Sequence, residues 1–237
     1  MNIYDKIIKE TMLEVGKGDV RRIGGASARP WPDSGSSELV MQREAAFELG
    51  GSGKPSVNYT CVTTAPDFSE DEILIVGRDL PAVRSDTAFA RIAILGTEEL
   101  GEDEAAHDAI RKMEFVRYHV FPKGYMVRVS TTSYKEQVRV SAKAARAGIS
   151  FSSVGADYIA RYKEIPGVRK VRMIFITDEQ IVEALAPNAK KVDDITKTLT
   201  HIMDGLNLDC SHCSMKPVCD EVDGMREEHL KALKKGK

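Results

Sequence analysis

Val168-Arg-Lys-Val-Arg-Met-Ile-Phe-Ile176-Thr-Asp-Glu-Gln180 is the stretch on which the fold turns. Its first nine residues are rich in β-branched and aromatic side chains and hold no glycine or proline, which predicts a strand. The chain then passes without a loop into Thr177-Asp-Glu-Gln180, where a hydroxyl is followed three residues later by glutamine. That is capping-box spacing, in which the two side chains satisfy each other's backbone amides. A helix is therefore expected to begin there and run to about residue 185, with Pro187 ending it. A strand feeding a helix directly is the unit of a layered α/β protein.

Upstream, residues 56–64 alternate and predict a strand with Val57, Tyr59 and Cys61 on one face. Residues 73–76 and 89–95 read as further strands, and 125–129 and 137–140 as short ones. The stripe Ala106, Ile110, Met113 and Val116 predicts a helix over about 102–120. Shorter helices are expected over 142–147, stopped by Gly148, and over 153–163. Ile3, Ile7, Ile8, Met12 and Val15 recur at helical spacing before Gly16. Residues 17–36 contain several Gly, Ser and Pro and read as a long loop or arm. Trp31, the only tryptophan, is either an interface anchor or, as is commoner, packed on its own domain. Downstream, a helix from Asp193 or Asp194 is expected to end near Gly205, and a charged helix over about 221–234 to close the chain. The interleaving points to an α/β fold, a mixed sheet with flanking helices, with α+β as the alternative. Three regions are expected: an N-terminal helix and arm (1–36), a mixed α/β domain (37–206), and a cysteine segment with the final helix (207–237).

Gly50-Gly-Ser-Gly-Lys-Pro-Ser56 resembles a phosphate loop, but that pattern needs glycine at 48 and a hydroxyl at 55, where this chain has Glu48 and Pro55. A flexible turn before the next strand is the better account.

The 34 Lys and Arg against 36 Asp and Glu give a formal charge of −2, which argues against a nucleic-acid binder. The N-terminus lacks the apolar core of a secretory signal. No apolar run approaches the roughly 20 residues that span a bilayer. No membrane association is expected, and the protein reads as cytoplasmic, where thiols stay reduced.

Three of the four cysteines fall within Cys210-Ser-His-Cys213-Ser-Met-Lys-Pro-Val-Cys219. A C-x2-C pair can turn both sulfurs toward one metal, and Cys219 supplies a third thiolate. Metal binding is therefore expected at Cys210, Cys213 and Cys219, as an iron–sulfur cluster or as zinc. His201, His212, His229, Cys61 or an exogenous group are the candidates for a fourth ligand. A thiol–disulfide switch and incidental cysteines on a surface loop are the other readings of the pair.

The order of Val138-Arg-Val-Ser-Ala-Lys-Ala, then Val171-Arg-Met-Ile-Phe-Ile-Thr-Asp-Glu-Gln180, then the cysteine cluster resembles the beta subunit of the acetyl-CoA decarbonylase/synthase complex, the acetyl-CoA synthase family. Ala46-Phe-Glu-Leu49, Glu72-Ile-Leu-Ile-Val-Gly77 and Lys123-Gly-Tyr-Met126 fall in matching order, so the resemblance covers roughly residues 40–219. It implies a mixed α/β middle domain associated with coenzyme A, acting in one-carbon metabolism of an anaerobe. Cys210, Cys213 and Cys219 fall on the family's first three cluster ligands, and Arg139, in the V-R element, is the cofactor-binding candidate. Protein partners of the corrinoid or CO dehydrogenase type are implied, and a homo-oligomer is compatible. The five-residue spacer before Cys219 is shorter than the family's, and no cysteine follows it. The family's nickel-binding domain has no counterpart in these residues. The family's acyltransferase reaction is therefore not expected of this chain alone, and an accessory or docking role is. Arg161, Arg169 and Arg172 are further candidates for a phosphate-binding cavity, against the plainer reading of solvated charges. A non-catalytic module with a structural zinc is the alternative function.

Overall fold

The computed structural model describes residues 3–35, 37–99, 104–128, 130, 132–203 and 216. Cys210, Cys213 and Cys219, with His212, His229 and the expected final helix, lie outside the described residues. The elements run α1 (Asp5–Val15), β1 (Val20–Gly24), β2 (Ala45–Leu49), β3 (Ser56–Thr63), β4 (Glu72–Val76), β5 (Phe89–Thr97), α2 (Glu104–Val116), β6 (Tyr125–Arg128), β7 (Gln137–Ser141), α3 (Ala142–Ala147), α4 (Phe151–Lys163), β8 (Val168–Ile176) and α5 (Glu179–Met203).

The apolar runs that predict strands assemble into one five-stranded sheet of order β1-β4-β8-β5-β3. β4 pairs parallel with β8 and β5 parallel with β3, while β8 and β5 are antiparallel, as are β1 and β4. The sheet is thus mixed, with helices on both faces. Every residue of β3, β4 and β5 is buried, because a two-sided sheet leaves no wet face. Register places Phe175, Arg91 and Asn58 side by side on one face. α4 covers that face, where Gly155 lies against Ile73 and Phe175. On the opposite face Tyr59 shares a 2.8 Å hydrogen bond with Thr11 of α1, and Gly18 brings Val76 and Ile181 of α5 together. Cys61 shares this second face with Tyr59 and is fully buried. The N-terminal helix belongs to the same core, through Ile3, Tyr4, Ile7 and Val15. No helix among the described residues is long and apolar enough to cross a membrane.

A second, three-stranded antiparallel sheet, β2-β7-β6, stands beside the first. A parallel bridge between Leu49 and Thr87 joins the two.

Three expectations change. First, Pro187 does not end a helix, and no new one starts at Asp193: α5 is continuous through both. An interior proline costs about 3 kcal/mol. Beyond it, however, Ala189, Val192 and Ile195 are buried, and each large apolar side chain returns roughly 1.5–3 kcal/mol. Tertiary burial outweighs the local break, with the proline ring left on the exposed side. Second, the cap is Asp178 rather than Thr177: the Ile181 amide donates to Asp178 Oδ1 at 3.1 Å. Thr177 Oγ1 donates instead to the Arg78 carbonyl. Third, the arm over 17–36 contains β1, an edge strand held by backbone pairing and by ion pairs from Arg21 to Asp79 and Arg22 to Glu72. Trp31 packs against its own domain, its indole donating to the Lys123 carbonyl at 3.1 Å. Gly148 caps α3 in the left-handed conformation as expected, with φ +87°.

Candidate functional site

Arg139 lies on β7, directly across from Glu48 of β2. Its Nε donates to Glu48 Oε1 at 2.7 Å, and Arg128 of β6 donates from Nη1 to Oε2 at 2.7 Å. One nearly buried carboxylate therefore serves two guanidiniums, and the trio carries a net positive charge. The glycine-rich turn after β2 closes around this carboxylate. A Cβ on Gly51 would fall 2.2 Å from Glu48 Oε2, so only glycine fits there. The phosphate-loop look-alike is thus a turn that wraps an internal acid, with Gly50, Ser52 and Gly53 all at positive φ.

Beside the trio, a groove of about 500 Å³ runs along β6. Tyr125, Met126, Val127 and Arg128 form one wall, Ser37, Glu38 and Leu39 another, and Tyr118, Phe121, Pro122 and Lys135 complete it. Seven large apolar side chains are exposed among the described residues, and three of them, Leu39, Tyr118 and Phe121, line this groove. Leu39 is 70 % exposed. His119 stacks on Phe115 and meets Phe121 edge-on, which extends the aromatic rim. Lys135 forms no ion pair among the described residues. The site combines apolar walls with unneutralised cationic groups, the combination that binds an anionic partner with an apolar body.

Behind the groove sits a buried charge network. Arg91 of β5 and Glu136 are both fully buried. Arg91 Nε lies 2.9 and 3.0 Å from the two carboxylate oxygens, Nη2 reaches Oε2 at 2.5 Å, and the guanidinium covers the Tyr158 ring at 4.6 Å. Five nearby polar atoms have no partner among the described residues: Nδ2 and Oδ1 of Asn58, Arg91 Nη1, Arg117 Nε and Tyr125 Oη. Arg117 also pairs with Glu114 at 3.1 Å and donates to the Tyr118 hydroxyl, which ties this network to the groove wall.

Burial pushes the Glu114 carboxyl above its ordinary value of 4.5; Arg117 and Arg91 oppose the rise and Asp193 adds to it. The folded state thus binds this proton more tightly than the unfolded chain does. The contribution favours folding below the ordinary carboxylate value and is lost as pH rises through the raised folded one. Relative to Glu114→Gln, the melting temperature of the wild type should decline as pH rises from about 4.5. Parallel melting profiles for the two proteins across that window would refute this.

No family model and no curated protein matches the chain. Among the described residues no group of three or more His, Cys, Asp or Glu is placed to hold a metal ion. Cys61 is sealed in the sheet, its thiol pushed up by burial and by Glu114, so it is not exposed as a ligand. The other arginines are not gathered with Arg139. Arg161 pairs with Glu164 and Arg169 with Glu98. Arg172 is buried between Glu72, at 2.5 Å, and Asp67, at 2.8 Å. The groove escapes sequence reasoning because its walls come from three separate segments. The buried pair leaves one legible signal: Arg91 is the only charge in an otherwise apolar strand.

Proposed function

We propose that this chain is a cytoplasmic metal-thiolate protein, an accessory or partner-docking relative of the acetyl-CoA synthase beta subunit in one-carbon metabolism. Cys210, Cys213 and Cys219 hold its metal, an iron–sulfur cluster before zinc. The observation that carries the reading is the Cys-x2-Cys-x5-Cys spacing, in a chain whose remaining cysteine, Cys61, is locked in the core. Soft thiolates at that spacing suit zinc or iron, and binding offsets the cost of gathering three sulfurs in one place. The ordered motif series from Ala46 to Cys219 supports the placement beside the synthase. Coenzyme A and a corrinoid or CO dehydrogenase-type subunit are the ligand and partner that the relation suggests. Arg139 contributes to an anion-attracting surface through the surplus charge of the Glu48 trio, because its own guanidinium is already engaged.

Anaerobic metal and sulfide analysis tests the reading. The wild type should hold stoichiometric metal, and Cys213→Ser should lose most of it. A brown protein with iron and labile sulfide supports the cluster. A colourless one with a single zinc favours the structural-zinc module. Equal metal content in wild type and variant ends the proposal.

A further inference from the structure

Among the described residues the three-stranded sheet ends at β6, with no strand paired to its outer edge. The Ser141 amide donates to the Gly124 carbonyl at 2.8 Å, and the register continues Tyr125 to Val140, Met126 to Arg139 and Val127 to Val138. In an antiparallel ladder, positions bonded to the neighbour alternate with positions turned away. Gly124, Met126 and Arg128 therefore face β7, and Tyr125 and Val127 direct their backbone groups outward. The Tyr125 amide is taken by the Pro122 carbonyl at 2.9 Å. The N–H and C=O of Val127 have no partner among the described residues. They open on the groove, whose lining is mostly apolar and whose cations, Arg128 and Lys135, outnumber the local carboxylates Glu38 and Glu48 once Arg139 is counted.

Native sheets shield such edges with charge, a bulge or a covering loop, because an open strand recruits another chain. Here the edge is bordered instead by exposed Leu39, Tyr118 and Phe121. We propose that this groove docks an extended segment of a partner protein, alternating apolar and acidic residues, which adds to β6 as a fourth strand. Main-chain bonds to Val127 give the segment its direction, alternate apolar side chains fill the groove, and its carboxylates meet Lys135 and the Arg128 end. A peptide suits the site better than a compact acid, since only a chain supplies both an acceptor for the Val127 amide and a donor for its carbonyl along the strand. The inference does not depend on the cysteines, so it stands or falls separately from the metal.

The test presents a phage-displayed library of random dodecapeptides to the full chain, with Leu39→Glu as the counter-target. The enriched sequences should alternate apolar residues with Asp or Glu, and the selected peptide should slow hydrogen exchange of the Val127 amide. Lys135→Glu and Val127→Pro should each weaken its binding at least tenfold. Proline is tolerated on an edge strand where the amide points outward, and Leu39→Glu repeats the test should Val127→Pro misfold. Cys213→Ser should bind the peptide as the wild type does. The proposal is overturned if the selection yields no enrichment or a basic consensus, or if the Val127 amide is unprotected. Decanoate binding as tightly as the peptide would assign the groove to a small acid instead. A dimer that Lys135→Glu splits in sedimentation would assign it to a second copy, and either result removes the partner segment.

Discussion

Replacing Glu136 by alanine is expected to destabilise the fold by about 3–5 kcal/mol, a large share of the total stability of an ordinary domain. Arg91 is fully buried on β5 and has no water to turn to. Its Nη2 keeps a 3.3 Å bond to the Arg117 carbonyl, and Nη1 is already without a partner among the described residues. Removing the carboxylate leaves a bare guanidinium in the core, and that cost exceeds the net worth of the pair itself. The double variant Arg91→Met with Glu136→Leu should therefore recover most of the loss, since it removes both charges and keeps the volume. Urea unfolding of Glu136→Ala and of the double variant measures this. A double variant no more stable than Glu136→Ala would show that the pair supplies net stability, contrary to this account.

Phe175→Ala is expected to cost about 3–5 kcal/mol. Phe175 sits on the central strand β8 and stacks on Phe151 at 4.8 Å, with Phe89 at 6.5 Å. All three are fully buried. The ring also rests on α4 at Gly155, where an added Cβ would lie 2.8 Å from Ile73 Cδ1 and 3.1 Å from Phe175 Cε2. This contact explains a glycine inside a helix. Gly155→Ala should be destabilising in the wild type despite its better helix propensity, which is worth about 1 kcal/mol. In the Phe175→Ala background the freed space lets Ile73 retreat, so the same substitution should become neutral or favourable. Chemical denaturation of the double-mutant cycle reads this coupling. Additive effects would mean that the helix does not seat on Phe175 as described.

The strands over Glu72–Val76 and Phe89–Thr97 were legible as short apolar runs, Ser56–Thr63 by its alternation, and Val168–Ile176 by its β-branched and aromatic side chains. α3 was legible through Gly148, which ends it, while its cap at Ser141 was shown only by the structure. β1 was not, since Val20-Arg-Arg-Ile-Gly24 has little apolar pattern and is ordered by backbone pairing to β4. The break assigned to Pro187 failed for the opposite reason: a strong local signal was overruled by burial further along the helix. Of the candidate site, Arg139 was named in advance as a cofactor residue, yet its direct partner, Glu48, lies 91 positions away. The aromatic walls left no local trace.

Local chemistry in the sequence was enough to specify most of the strands and helices, β1 and β2 and the continuity of α5 apart, that the sheet is interleaved with helices, and that three thiols stand at metal-binding spacing. These follow from side-chain period and spacing, which act over a few residues. The sheet order β1-β4-β8-β5-β3, the burial of Arg91 against Glu136 and of Arg172 against Glu72, and the open edge at Val127 were decided only by the folded structure. Each depends on groups far apart in the chain, 100 positions for Arg172 and Glu72. They meet because an unpaired charge or backbone group in the core costs more free energy than an isolated segment can offset.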